Sequence, residues 1–218
     1  MHGYKSSNKS FLSQIPFFKR YYRIIAPDFT GFGESKKMAF PYTLDNYVLE
    51  IKALLDYLKV DSVDVIAHSF GARVILKLAL TDKRINKIVL TGAAGLKPRR
   101  TLKYYTKIFI YKTYKKLFKN GKFKGFESND YKNLTSVEKQ SFVYIVNEHL
   151  DKVVPCIENK TLIISGSEDT ETPPYMQKKL CKKLKNSKLV FIKKAGHFAY
   201  VSNANEFNYK VREFLLGD

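Results

Sequence analysis

Tryptophan is absent from this sequence, cysteine occurs only twice, and acidic residues are outnumbered by basic ones, 20 against 39. Cys156 and Cys181 lie far apart with no C-x-x-C spacing, which excludes a disulfide framework and a cysteine-based zinc site and points to a reducing compartment. No stretch reaches the roughly 18 uninterrupted apolar residues of a membrane span. Met1 is followed by His2 and Gly3 rather than by a basic and then apolar leader, so a soluble, cytoplasmic protein is expected. There is no H-E-x-x-H, no Walker loop and no dinucleotide fingerprint, and neither a metal nor an organic cofactor is expected. What is present suffices for one well-buried domain: 218 residues, 44% of them apolar, in a chain long enough to hide about 70% of its unfolded surface.

The net charge of +19 would suit nucleic acid or an anionic membrane. Thirty-two of the basic residues are Lys and seven are Arg, however, whereas specific phosphate and base readout leans on the guanidinium fork. No nucleic-acid partner is expected, and a chain rich in Lys, Asn, Tyr and Phe also fits coding bias toward A and T. Eleven basic residues fall between Lys97 and Lys124 with no Asp or Glu among them, leaving +8 for the rest. That run offers a surface for weak contact with an anionic membrane. Its apolar residues are spread around the helix: Leu102, Tyr105 and Phe109 share one face, while Tyr104, Tyr111 and Phe118 lie opposite.

Short β-branched runs alternate with helical patterns, the signature of βαβ units and a mostly parallel sheet flanked by helices, an α/β fold. Strands are expected at Tyr22–Pro27, Ser62–Ala67, Lys87–Thr91, Thr161–Ser165 and Lys188–Lys193. Leu44, Tyr47, Val48, Ile51, Leu54, Leu55 and Leu58 recur at three- and four-residue spacing behind Thr43 as N-cap, predicting a helix with one face on the sheet. Further helices are expected at Phe70–Leu80, Tyr175–Leu184 and Ala204–Leu216, the last with Asn203 and Glu206 near a capping box. Residues 97–159 lack any strand signal and carry a Thr135-x-x-Glu138 capping box, so they read as a mostly helical insertion between a core of 1–96 and 160–218.

The segment Val63-Asp-Val-Ile-Ala-His-Ser-Phe-Gly-Ala-Arg-Val is a buried strand that turns sharply at Ser69 into a helix. It matches the nucleophile elbow G-x-S-x-G with Ala67 at the first small position and Gly71 at the second. Such a turn strains the serine backbone and requires small flanking residues. The amide of Phe70 then points, with the helix dipole, at a developing oxyanion. Two later strands end in polar loops that hold Asp169 and His197. Ser69, Asp169, His197 is the chain order of the triad in this type of sheet, and ligands bind beyond the carboxyl ends of its strands.

With these motifs the sequence resembles the α/β-hydrolase superfamily over nearly its whole length. His2-Gly3-Tyr4 is similar to the H-G-x oxyanion loop, Asp28-Phe-Thr-Gly-Phe-Gly-Glu-Ser35 to the D-x-x-G-x-G-x-S turn, Ala67-His-Ser-Phe-Gly71 to the elbow, and Gly166-Ser-Glu-Asp169 with Ala195-Gly-His197 to the acid and base loops. The resemblance implies that Ser69 attacks a carbonyl, His197 shuttles the proton, Asp169 orients the imidazole, and the Phe70 and Tyr4 amides hold the oxyanion. It also implies that residues 97–159 form a lid and that the partner is a small-molecule acyl substrate, a small or medium carboxylic ester. The family's first three strands have no counterpart here, because only Met1 stands before His2. That departure leaves His2-Gly3-Tyr4 little to hold it and keeps a second reading open, a non-catalytic binding protein with a compromised oxyanion hole. Glu168 or Glu171 is the alternative to Asp169 as the acid. His68 and His149 read as packing or surface residues, and Asp28 as a brace for its Gly-rich turn. The oligomeric state is not legible.

Overall fold

Four strands, β1 (Val63–His68), β2 (Ile85–Thr91), β3 (Thr161–Gly166) and β4 (Ser187–Ile192), pair in parallel in the order β1-β2-β3-β4. They belong to a computed structural model that describes residues 1–99 and 134–217. The helices in chain order are α1 (Ile15–Phe18), α2 (Leu44–Tyr57), α3 (Phe70–Leu78), α4 (Ser136–Asn147), α5 (Pro174–Lys183), α6 (Ala199–Ser202) and α7 (Ala204–Leu216).

The period-2 alternation of the strands sorts the core into two layers. On β2, Ile88 and Leu90 pack toward α2, α3 and α5, while Val89 faces Phe11, Phe18 and the apolar side of α7. On β3, Ile163 joins the first layer and Leu162 and Ile164 the second. Both faces of the sheet are therefore covered, as a parallel sheet with near-continuous apolar strands requires. The α2 stripe buries Leu44, Tyr47, Val48, Ile51 and Leu55, and the Thr43 amide donates to Asn46 Oδ1 at 2.8 Å to close its first turn.

Three expectations need correction. Tyr22–Pro27 is not a strand: it and Val63–Ile66 border a groove of about 630 Å³ instead of pairing. A ladder needs neighbours about 4.8 Å apart, so the β-branched Ile24 and Ile25 line an apolar wall without a partner strand. Asn203 makes no side-chain cap to α7; its Oδ1 accepts from Ser202 Oγ at 2.9 Å, which diverts it from the helix. The N-terminal segment is not loose: Met1 is bonded to β1 and His2 O accepts from the Gly71 amide.

The chain between β2 and β3 contains α4, which begins at the Thr135–Glu138 capping box, with the Thr135 amide donating to Glu138 Oε2 at 2.8 Å. This helix packs on the core. Tyr42 N–H donates to Ser141 Oγ at 2.8 Å, and Arg73 Nη1 donates to Ile145 O at 2.9 Å and Glu148 O at 2.8 Å. Lys77 is paired with Glu148 and with Asp45. The basic run from residue 100 onward, including Leu102, Tyr105 and Phe109, lies outside the described residues. Among the described residues no helix is long and apolar enough to cross a membrane.

Candidate active site

The chain leaves β1 at His68 and enters α3 at Phe70, which leaves one residue, Ser69, to make the turn. Its backbone sits at φ 49°, ψ −104°, a conformation an L-residue adopts only when its surroundings force it. Those surroundings are visible: Ser69 N–H donates to Thr91 O at 3.0 Å, and Ala94 N–H donates to Ser69 O at 3.3 Å. Ala67 is fully buried beneath the turn. A Cβ at Gly71 would lie 2.6 Å from Met1 O and 2.8 Å from His2 O, so the second small position of the elbow is dictated by the N-terminal segment crossing it. The Phe70 N–H, first in α3, has no acceptor within its own helix and faces the carboxyl end of the sheet.

Asp169, in the loop after β3, is 2% exposed. Its Oδ1 accepts from the Glu171 and Thr172 amides, both at 2.9 Å, and its Oδ2 accepts from Thr172 Oγ1 at 2.8 Å and lies 2.9 Å from His197 Nδ1. Burial alone would raise this carboxyl, but hydrogen bonds from His197 and Thr172 outweigh it and hold the group below its ordinary value. With Nδ1 bonded to a carboxylate, the proton of a neutral imidazole is on Nδ1 and Nε2 is bare. Glu171 Oε2 lies 3.4 Å from that Nε2. Among the described residues no hydrogen bond joins His197 Nε2 to Ser69 Oγ, although both residues border one pocket of about 570 Å³. Gly92, at φ +51°, lets the ring lie close: a Cβ there would meet the His197 ring at 2.9 Å.

His2-Gly3-Tyr4 is held from two directions. The Met1 nitrogen donates to Ile66 O at 2.8 Å and His68 N–H donates back to Met1 O at 3.0 Å, the two bonds of a parallel rung on β1. Gly71 N–H then donates to His2 O at 3.1 Å. His2 Nε2 accepts from Phe29 N–H at 3.1 Å, which places its proton on Nδ1, 2.7 Å from Gly3 O. Burial pushes His2 down to about 4, so it is neutral at pH 7. Tyr4 borders the pocket and packs edge-on against Phe32, Phe70 and Phe142.

The remaining candidates separate clearly. Asp28 accepts from the Asn8 amide at 2.6 Å and the Glu34 amide at 2.9 Å and braces its turn. His68 is buried, and its Nε2 lies 3.2 Å from His197 O; since a carbonyl only accepts, Nε2 carries the proton. Burial and then the neighbouring His197 push it down to about 3, so it stays neutral. His149 is exposed and Glu168 is exposed; neither borders the pocket. Glu171 borders the pocket but is not the carboxylate on Nδ1. Thr172 and Arg73 are not legible in the sequence as site residues. The only signal for Thr172 is its place three residues after Asp169, and for Arg73 its place four residues after Ser69. Among the described residues no group of three His, Cys, Asp or Glu side chains could hold a metal ion.

Comparison with known proteins bears on the fold. A family model described as the alpha/beta hydrolase fold matches residues 1–109 and 94–204. A 2-hydroxy-6-oxo-2,4-heptadienoate hydrolase of Pseudomonas putida is 24% identical over 228 residues, covering 94% of this chain and 82% of that protein. The uncharacterized hydrolase YugF of Bacillus subtilis is 26% identical over 244 residues, covering 99% and 88%. Among solved structures, an esterase from Exiguobacterium antarcticum superposes with a TM-score of 0.78 at 21% identity, covering all of this chain and 90% of its own. A meta-cleavage product hydrolase from Pseudomonas fluorescens gives 0.73 at 21% identity, covering 98% and 88%.

Proposed function

Since the chain belongs to the alpha/beta hydrolase family, we propose that it is a serine hydrolase that cleaves a small or medium carboxylic ester or a related acyl compound. The observation that carries this reading is that His197, 2.9 Å from the buried Asp169 carboxylate, borders the same pocket as the strained Ser69. Ser69 Oγ attacks the substrate carbonyl carbon while His197 Nε2 takes the hydroxyl proton. The resulting imidazolium is stabilised by the Asp169 carboxylate. The tetrahedral oxyanion receives hydrogen bonds from the Phe70 and Tyr4 amides, each worth roughly 3–4 kcal/mol in a well-studied protease. Collapse expels the alcohol, which takes the proton from Nε2; a water then repeats the sequence and releases the acid. In the resting geometry Glu171 stands at Nε2 where the serine hydroxyl must come, and substrate binding displaces it.

Residues 97–159 act as a lid in this reading, with α4 fixed over the pocket by Arg73 and Tyr42. The secure seating of His2-Gly3-Tyr4 favours an enzyme over a non-catalytic binding protein. Carbon–carbon hydrolysis is the second reading, supported by the heptadienoate hydrolase similarity over 94% of the chain. A fluorophosphonate probe tests the first step common to both: labelling of the wild-type chain that disappears in Ser69→Ala is expected. Folded wild-type protein that does not label would sink the proposal. Ester and dienoate substrates offered to the unlabelled enzyme then decide which bond it breaks.

A further inference from the structure

The pocket contains a cation that the mechanism above does not use. Arg73 lies one helical turn beyond Ser69 on α3, is only 9% exposed, and borders the pocket shared by Ser69 and His197. Its Nη1 is committed to the Ile145 and Glu148 carbonyls at the carboxyl end of α4, which fixes the plane of the guanidinium. Its Nε and Nη2 have no acceptor among the described residues. No described carboxylate comes within 4.0 Å of it. Glu148 pairs with Lys77 instead, and Glu171, the acid at the pocket wall, lies against His197. Burial pushes Arg73 down to about 10, which still leaves it charged at neutral pH.

Among the described residues only Glu148, itself paired with Lys77, acts on this buried guanidinium through its charge, and an arginine that served only to tie α4 to α3 would have no use for the other edge of its fork. We propose that this edge docks an anionic group, a carboxylate on the acyl substrate, about one helical turn from the reacting carbonyl. The Nε–Nη2 edge presents two parallel N–H groups, the match for a carboxylate's two oxygens. The inference rests on Ser69 being the nucleophile of this pocket and narrows the substrate class to acyl compounds that carry a second, acidic end.

Two p-nitrophenyl esters of equal carbon count test it, the monoester of glutaric acid and the neutral valerate. In the wild-type chain kcat/KM for the acidic ester is expected to exceed that for the neutral one by about ten- to a hundredfold, the size of one charge-assisted hydrogen bond. The difference should appear in KM. Arg73→Gln should collapse the ratio to about one, and Arg73→Lys should keep part of it, since lysine retains the charge but not the fork. A ratio unchanged in Arg73→Gln, or a wild-type preference for the valerate, overturns the proposal.

Because Arg73→Gln also removes two ties to α4, calorimetric titration of glutarate and its neutral diamide into the wild-type and Ser69→Ala chains provides a second measurement. Glutarate should bind both chains and the diamide neither. Equal binding of the two compounds, or none at millimolar concentration, overturns the assignment. Glutarate binding by a chain that hydrolyses no ester would instead count against the catalytic reading and leave Arg73's role standing.

Discussion

Asp169 is fixed by the Glu171 amide, the Thr172 amide and the Thr172 hydroxyl, all within three positions of it in the chain. Tyr4, which borders the pocket together with His197, is placed through Met1 and His2 by Ile66, His68 and Gly71, more than sixty positions away. The acid loop is a local turn that closes on itself and needs only β3 to carry it to the rim. The N-terminal segment is a rung added to the edge of β1, and its far side borders the groove of about 630 Å³. The candidate site is thus self-supporting on one side and dependent on distant packing on the other, and substitutions should affect the two sides differently.

The largest expected effect strikes the self-supporting side. Asp169→Asn keeps the shape but leaves His197 without its carboxylate, and kcat is predicted to fall by about 10⁴-fold with little change in thermal midpoint. Steady-state kinetics beside a melting curve check this; a kcat within tenfold of wild type would remove Asp169 from the mechanism. Next comes Gly71→Val, which drives a side chain into the Met1 and His2 carbonyls. It should cost about 10²–10³-fold in kcat through loss of the Tyr4 donor and about 1–3 kcal/mol of stability through overpacking. Urea unfolding with kinetics separates the two losses. A folded variant with full kcat would show that the N-terminal segment holds no oxyanion.

The third prediction concerns pH. His2 and His68 are pushed below the ordinary 6.5 to about 4 and about 3 by burial, so the unfolded chain binds more protons than the folded one below pH 6.5. Their neutral packing stabilises fully above that value and is lost as pH falls toward 4 for His2 and 3 for His68. The slope is about 1.4 kcal/mol per pH unit for each residue. Urea midpoints at pH 7, 6 and 5 measure it, and equal midpoints across that range would contradict the neutral assignment. His68→Phe should reduce the slope by about half. The smallest effect belongs to Thr172→Val, which removes one hydrogen bond from Asp169 and should cost about 1 kcal/mol and a few-fold in kcat. A loss as large as that of Asp169→Asn would show that the loop is less self-supporting than its hydrogen bonds imply.

Particular residues show how far residue order and spacing reach. The β1–α3 elbow is legible in the sequence because the strand period breaks at a serine flanked by small residues. The α2 stripe is legible because its apolar spacing is strictly helical, and Thr135–Glu138 because a capping box is a contact within one turn. Tyr22–Pro27 misleads because its composition is that of a strand, yet pairing requires a neighbour within reach. The seating of His2 is hidden because Phe29 and Gly71 come near it only in the folded chain. Arg73 is hidden because one arginine on a helix has no meaning until α4 is laid across it.

The sequence by itself determined the α/β alternation, the order Ser69, Asp169, His197 along the chain and the turn that strains Ser69, because each depends on periodicity or on contacts a few residues long. Only the tertiary structure decided that Asp169, not Glu168 or Glu171, meets His197 Nδ1, that the N-terminal segment is a rung on β1, and that the buried Arg73 guanidinium borders the pocket. These depend on which loops the parallel sheet brings to one rim, and distances between residues remote in sequence exist only once the core has closed.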